Sequence, residues 1–559
     1  MTAPDQLQIL PMGGIANVTQ NMYVYQYQDE ILLVDCGIGF PDVQMPGVDI
    51  LIPDINYLLK QLEDGKKIVG MVLSHAHDDH IAALPYILPN LPDFPIYASK
   101  LTAGFASNRL MDTNNAKTIT VLPDRQPQKI GTHFQVTLLA VTHSVPDTKH
   151  IFIETPVGNV YHGSDFKLDP APIDSMLSDY EFMGEVKQKG VKLLLSDCLG
   201  SDKPSWTESE SSVGPVLEKA MADVKGKVVV TLMSSHIHRI KQVMNAAQKY
   251  GRKVALVGRS VEQNVLTAAE LGFITDEAGV IINKKETKNY QDSQLCLIVA
   301  GSQGQEGSSM MRAIYGEHPT IHLTKNDRVI FSANAIPGNE VTYYGAIDEL
   351  FLTGIDTVYP TITPGIHESG HASAPEQADL IKRLAPQKLF PIGGNPRHRV
   401  LYQRLVAAPL GYKKEDVLIP EDGDILGLSS DGEIKKVGNV SLRPQIVDGL
   451  GVGDVGPAVL SDRRALGQAG VIIVIIKHYQ KTNKLDYDHI HVVSRGFVFM
   501  RDAAEVINFI KERTVQLFTK HFDNKKREQS ERAVERGLAR SLYEIIQREP
   551  MIEVEIVDC

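Results

Sequence analysis

Cysteine is scarce: four occur in 559 residues, Cys36, Cys198, Cys296 and Cys559, and no two stand at metal-ligand spacing. That excludes a disulfide scaffold and a thiolate zinc site, and it suits a reducing, cytoplasmic setting. Long apolar runs are missing too. The longest, VIIVII at 471–476, falls far short of the ~20 residues a membrane-spanning helix needs. The N-terminus MTAPDQLQILPMGG has no basic stretch followed by an apolar one, so no secretory signal is expected. Nor is positive charge in excess. Lys and Arg number 57 against 68 Asp and Glu, a net charge of −11, which argues against holding a polyanion by net charge but leaves room for a local basic groove. Repeats and low-complexity tracts are absent.

What remains is an ordinary globular composition, 43% apolar and 22% charged, in a chain too long for one core. Over the first 200 residues, short apolar strands (MYVYQY, ILLVDCG, IVGMVLSH, FQVTLLAVTH, GNVYHGSD, KLLLSD) alternate with turns, and several end on Asp or His. Chemistry in such folds sits on loops at strand ends. From about 206 the rhythm becomes helix and strand in alternation (KVVVTLM, IHRIKQVMNAAQKY, KVALVG, CLIVAG, RVIFSAN), which predicts a parallel sheet with its own core. A last unit follows the Gly-rich DGLGVGDVG. Its Val534, Leu538, Leu542 and Ile545 fall on one helical face.

The densest chemistry is SHAHDDH at 74–80, between the apolar strand MVLS and the start of IAALPYIL. His75 and His77, two apart, can point into one pocket, while Asp79 and His80 can serve a neighbouring position. Neutral imidazole and carboxylate are the ligands that zinc or manganese takes. His143 in THSVPD and Asp165 in YHGSDFKLD are ordinary loop residues taken singly, but with SHAHDDH they form a set along successive strands.

The order VDCG, HAHDDH, HSVPD, GSD resembles the metallo-β-lactamase fold of nucleic-acid hydrolases. With GGIANVTQNMYVY, LSDC, IHRI, GSQGQ, IPGNE, IHESGHAS and DGLGVGDVG, the resemblance extends over essentially the whole chain to the ribonuclease J family. It implies an αββα metallo-β-lactamase domain in two parts (1–208 and 366–447), an inserted α/β β-CASP domain (209–365), a linker (448–456) and a small α/β C-terminal domain (457–559). It also implies a Zn2+ enzyme, with Mn2+ or Mg2+ as alternatives, that cleaves RNA 5′→3′ and endonucleolytically in RNA processing and decay. His75, His77 and His143 would hold one ion, Asp79 and His80 a second, and Asp165 both. Asp35 would orient the ligands by hydrogen bonds. Asp79, Asp165 and His367 would take part in catalysis. Ser369, Gly370, His371, Ala372 and Ser373 would cradle the 5′-monophosphate of single-stranded RNA. Ser235 and His238, at the start of a helix, would contact its backbone.

The chain departs from the family pattern in three places. FPIGG puts Gly393 where the family has a histidine that completes the second metal position. Asn17 stands where an acid is usual, and Ala76, Ala82 and Ala83 stand for glycines. His398, five residues beyond Gly393, is not expected to reach the vacated position. These departures liken the chain to the second, catalytically weakened ribonuclease J paralogue, with one sound metal site and one impaired. Such a chain is expected to form homodimers and hetero-oligomers with an active paralogue. The competing reading is a subunit whose main work is binding and assembly.

Overall fold

The computed structural model describes all residues except 1–4, 16, 43, 112–116, 450 and 498–502. Two sheets build the first half. One runs in the order Ile434–Asn439, Asp424–Ser429, Gln6–Gly13, Met22–Tyr27, Glu30–Val34, Lys67–Leu73, Ile96–Ala98, Ile119–Val121. The other runs Lys388–Ile392, Leu193–Asp197, Gly158–Gly163, Lys149–Thr155, Phe134–Ala140, Gln128–Ile130. Their facing sides share one apolar core, in which Leu32, Val34 and Val72 meet Val136, Leu138, Ile151 and Leu195. Side chains alternate across a strand, so Leu194 and Phe152 point to the opposite side of the second sheet. There they pack on Phe182 and Val186 of helix Tyr180–Lys189 and on Leu380 and Ile381 of helix Ala374–Leu384. Both sheets are buried on two faces, as the continuous apolar runs ILLV and LLLS require.

The inserted segment forms a third sheet, wholly parallel, in the order Ile281–Ile282, Lys253–Val257, Leu295–Val299, Val228–Thr231, Arg328–Phe331, Asp356–Val358. Its own core gathers Val229, Leu297, Val329, Phe331 and Tyr343. From Val228–Thr231 the chain runs to one edge at Ile281–Ile282, then returns across the sheet to the other edge at Asp356–Val358.

The chain divides into two compact units, Met1–Phe40 with Leu51–Gln445, and Pro41–Ile50 with Ile446–Cys559. Residues 41–50 thus pack with the C-terminal unit rather than with the first domain where the sequence reading placed them. Asp49 N donates to Val447 O (3.0 Å) and Gly449 N to the Asp49 carboxylate (2.8 Å). In that unit VIIVII lies within the strand Val471–Tyr479, antiparallel to His491–Arg495 and parallel to Met551–Asp558, beneath helices Ala503–His521 and Arg527–Ile546. Val534, Leu538 and Leu542 are buried, whereas Ile545 is 60% exposed, in the last turn of its helix. Among the described residues no helix is long and apolar enough to cross a membrane.

Candidate metal centre

The first two sheets described bring their carboxyl-terminal strand ends to one place. Lys67–Leu73 delivers His75 and His77, and the short helix Asp78–Ile81 carries Asp79 and His80. Phe134–Ala140 leads to His143, Gly158–Gly163 to Asp165, and Leu193–Asp197 ends on Asp197. Ligand atoms of His75, His77, His143 and Asp165 lie within 4.8 Å of one another, as do those of Asp79, His80 and Asp165, and those of Asp165, Asp197 and His371.

The donor set fits a divalent cation. Burial holds the His75 and His143 imidazoles well below the usual range and brings His77 down to about 3, so all three rings are neutral. His143 Nδ1 donates to Gly370 O (2.7 Å), which leaves its Nε2 bare. That atom stands 3.2 Å from His77 Nδ1, which is 3.1 Å from His75 Nε2. Asp165 Oδ2 adds a further acceptor 3.7 Å from His75 Nε2 and 3.9 Å from His143 Nε2. Lone pairs crowded in this way are what an ion ligated by nitrogen and carboxylate relieves.

The second position is built differently. Asp35, itself held at φ +60°, accepts from Ser74 N (2.7 Å), Ser74 Oγ (2.8 Å) and His80 Nδ1 (2.7 Å). His80 Nε2 is thereby aimed at Asp79 Oδ2 and Asp165 Oδ2, each 3.6 Å away. Burial opposes charge on His80, but Asp79, Asp165 and Asp35 overcome it and raise its pKa well above the ordinary value. Burial pushes Asp79 up to about 6.

Gly393, at φ +66°, occupies the place opposite. A Cβ built on it would lie 3.6 Å from Asp165 Oδ1 and 3.8 Å from Asp197 Oδ1, so a side chain here would enter the centre. His371 comes in beside that space, its Nδ1 donating to Asp197 Oδ2 (2.8 Å) and its Nε2 3.9 Å from Asp165 Oδ2. Burial disfavours the charged ring, yet Asp197 and Asp165 raise it to about 9.

Two residues that the sequence reading left out of the site belong to it. Asp197 carried a signal, since KLLLSD is a strand ending on an acid. Asn21, whose Nδ2 lies 3.1 Å from His80 Nε2, carried none beyond its place in GGIANVTQN. Several predicted residues are engaged otherwise. His367 lies outside the three ligand groups. Its Nδ1 is 2.9 Å from Arg239 Nη1, and burial together with Arg239 lowers its pKa well below the usual range. Ser373 is buried and forms a capping box with Glu376 at the start of helix Ala374–Leu384, its hydroxyl donating to Glu376 Oε2 (2.7 Å). Ala372 is also buried, with its N donating to Phe166 O. Ser369 is exposed, and its Oγ accepts from His371 N (3.0 Å). Gly370 sits where a Cβ would come within 2.7 Å of the Ser144 Cβ and 3.1 Å of His143 Cε1, so no side chain fits. Ser235 is buried, and His238 faces the Asp174 carboxylate at 3.1 Å. His398 Nε2 approaches Asp202 (3.9 Å) and does not join the metal groups. Asn17 is exposed and caps only its own turn, at Thr19 N.

Family comparisons agree with this geometry. Residues 225–350 match "Ribonuclease J, beta-CASP domain", 458–559 match "Ribonuclease J C-terminal domain", and 16–186 match "Metallo-beta-lactamase superfamily". A "Ribonuclease J" of Thermus thermophilus is 36% identical over 88% of this chain and 85% of its own. The chain belongs to the ribonuclease J family. It is 32% identical to "Ribonuclease J 1" of Streptococcus pyogenes, over 98% of this chain and 97% of that one. To "Ribonuclease J2" of Bacillus subtilis it is 30% identical over 98% of each. A crystal structure of a protein of unknown function from Enterococcus faecalis shares the fold, with a TM-score of 0.52 at 17% identity over 76% of this chain and all of that one.

Proposed function

We propose that this chain is a metal-dependent RNA phosphodiesterase, acting 5′→3′ from a monophosphorylated end and also endonucleolytically, at a rate reduced by the second metal position. The observation that carries this reading is the convergence of neutral His75, His77 and His143 with Asp165, opposite the Asp197–His371 pair. Divalent cations such as Zn2+, Mn2+ or Mg2+, held by these side chains with Asp79 and His80, would supply Lewis acidity and lower the pKa of water. The chain's own residues do the rest. Asp35 fixes the tautomer of His80, and the Gly370 carbonyl fixes that of His143. His371 holds a proton at Nε2 on the side of Asp165, suited to meet a departing oxygen, while Asp197 keeps it charged. Ser369 and the imidazolium of His371 are the donors available to a terminal phosphate. Ser373, already spent as a helix cap, drops out of that pocket.

Gly393 favours a second reading, in which the chain chiefly binds RNA and assembles, as a homodimer or with an active paralogue. Elemental analysis of the dialysed protein, with cleavage assays on 5′-monophosphorylated and 5′-triphosphorylated RNA, separates the two. We expect one tightly held ion, a weak second one, and slow metal-dependent cleavage that prefers the monophosphate. No cleavage of either RNA at saturating metal would leave the assembly reading.

A further inference from the structure

Arg239 opens helix Ile237–Lys249 of the inserted domain, where the sequence reading offered an anion-binding helix start for RNA. The structure gives this arginine a different anion and hides it. Arg239 is fully buried, and its guanidinium forks onto Glu210, Nε to Oε1 and Nη2 to Oε2, both at 2.6 Å. Glu210 is buried as well and takes a further bond from Gln242 Nε2 (2.8 Å). Such planar, bidentate pairing is the geometry at which arginine outperforms lysine. The remaining donors reach outward. Nη1 lies 3.0 Å from Ser332 O, 3.1 Å from Ser332 Oγ and 2.9 Å from His367 Nδ1, and Nη2 lies 3.3 Å from Glu368 O. Ser332 Oγ in turn donates to Ile366 O (2.7 Å).

Two of these contacts, to His367 and Glu368, fall directly on the start of the segment Ile366–His371, by which the chain returns from the inserted domain, and the two to Ser332 reach it through Ile366. The end of the same segment is the metal centre. Lys167 Nζ donates to Ser369 O (3.2 Å), His143 Nδ1 to Gly370 O (2.7 Å), and His371 Nδ1 to Asp197 (2.8 Å). Glu210 is anchored on the metallo-β-lactamase side too, since its N donates to Asp169 Oδ2 (2.8 Å).

We infer that Arg239 is a positioning residue. Clamped on Glu210, it fixes the Ile366–His371 segment, and through Gly370 and His371 it sets the orientation of His143 and of the proton on His371. Without the clamp the segment keeps its anchors at the metal end but loses its register at the other. A buried charge pair is costly to break on one side and cheap to replace whole by apolar groups, so the informative variant removes both charges. The activity half of the test rests on the nuclease reading above.

The test compares wild type, Arg239→Lys, and the double variant Arg239→Met with Glu210→Leu. Three quantities are read: hydrogen exchange of the peptide covering residues 366–372, tightly bound metal, and single-turnover cleavage at saturating RNA. In the double variant we expect at least tenfold faster exchange in that peptide alone. The unfolding midpoint and the first metal equivalent should stay unchanged. Cleavage should fall at least tenfold, with RNA affinity altered less than threefold. Arg239→Lys should recover part of the rate, because it restores charge but not the fork. Unchanged exchange in the 366–372 peptide overturns the clamp whatever the activity. Faster exchange with undiminished cleavage overturns its positioning role. If wild type itself cleaves nothing, the nuclease reading fails while the exchange result still decides the clamp.

Discussion

Placing a histidine at Gly393 tests whether the second metal position is impaired. Its geometry sets terms for and against the change. The backbone there is left-handed, at φ +66°, which costs a non-glycine residue roughly 1–2 kcal/mol. Histidine is among the residues that visit this region more readily than most. Space is no obstacle, since the Cβ would meet only Asp165 Oδ1 at 3.6 Å and Asp197 Oδ1 at 3.8 Å, ordinary contact distances. The imidazole would then join Asp79, His80 and Asp165, raising a three-residue group to four. The metal-free variant should therefore be about 1–2 kcal/mol less stable than wild type, a loss that Gly393→Ala should share. Metal reverses the order. A second ion held at a hundred times its Kd adds about 2.7 kcal/mol, enough to exceed the backbone cost. Thermal unfolding with and without metal, titration of the second equivalent and single-turnover RNA cleavage together make the assay. We expect the histidine variant to bind the second ion at least tenfold more tightly than wild type and to cleave faster, with Gly393→Ala doing neither. Binding without faster cleavage would refute Gly393 as the cause of the proposed weak catalysis, and no tighter binding would refute the geometry itself.

Other perturbations have equally definite outcomes. Asp35→Asn leaves His80 Nδ1 and Ser74 without their carboxylate, and metal affinity measured by competition with a chelator should fall about 10–100-fold. His371 is raised to about 9, so its ion pair stabilises the metal-free chain fully below the ordinary histidine value near 6.5 and is lost as pH rises through about 9. Cleavage that uses its proton should decline over the same upper limb, and a rate–pH profile of His371→Gln should lack that limb. Ser373→Ala should cost about 1 kcal/mol in unfolding, as the loss of a helix cap does, and leave the preference for 5′-monophosphate intact. Ser369→Ala should do the opposite.

The centre's local part was legible because its ligands are local. HAHDDH follows an apolar strand and opens a helix, so spacing alone places its side chains together. Asp197 was harder, because what brings it to the site is a register. Leu193–Asp197 runs parallel to Lys388–Ile392 with Asp197 opposite Ile392, so the acid and Gly393 arrive as neighbours only after both strands join the sheet. The capping role of Ser373 was itself readable in the sequence. Ser-Ala-Pro-Glu is a capping-box spacing with proline at the helix start. His238 was placed rightly at a helix start, but its partner Asp174 lies on a distant loop that no local pattern announces. Residues 41–50 read as part of the first domain because they follow its third strand, and long-range bonds to 447, 449, 463 and 464 assign them elsewhere.

Charge gives a second ground, beyond the missing imidazole, for the proposal of one strong and one weak ion. Asp35, Asp79, Asp165 and Asp197 bring four carboxylates into the buried centre. His80 and His371, both raised by those carboxylates, return two positive charges at neutral pH. Two negative charges are left over, and a single divalent cation among neutral His75, His77 and His143 balances them. A second cation finds no such deficit. To ligate it, His80 Nε2 must first give up its proton, because a ring that donates through Nδ1 to Asp35 has no other lone pair to offer. Uptake of the second ion therefore releases a proton and grows stronger as pH rises, whereas the first does neither. Calorimetric titration in two buffers of different ionisation enthalpy reads that proton directly. Equal heats for the second equivalent in both buffers would show His80 to be neutral already and leave Gly393 as the sole cause. An imidazole at 393 would then restore the site unaided. If the proton is seen, a new ligand must also displace it, and the gain from Gly393→His should be largest in alkaline solution.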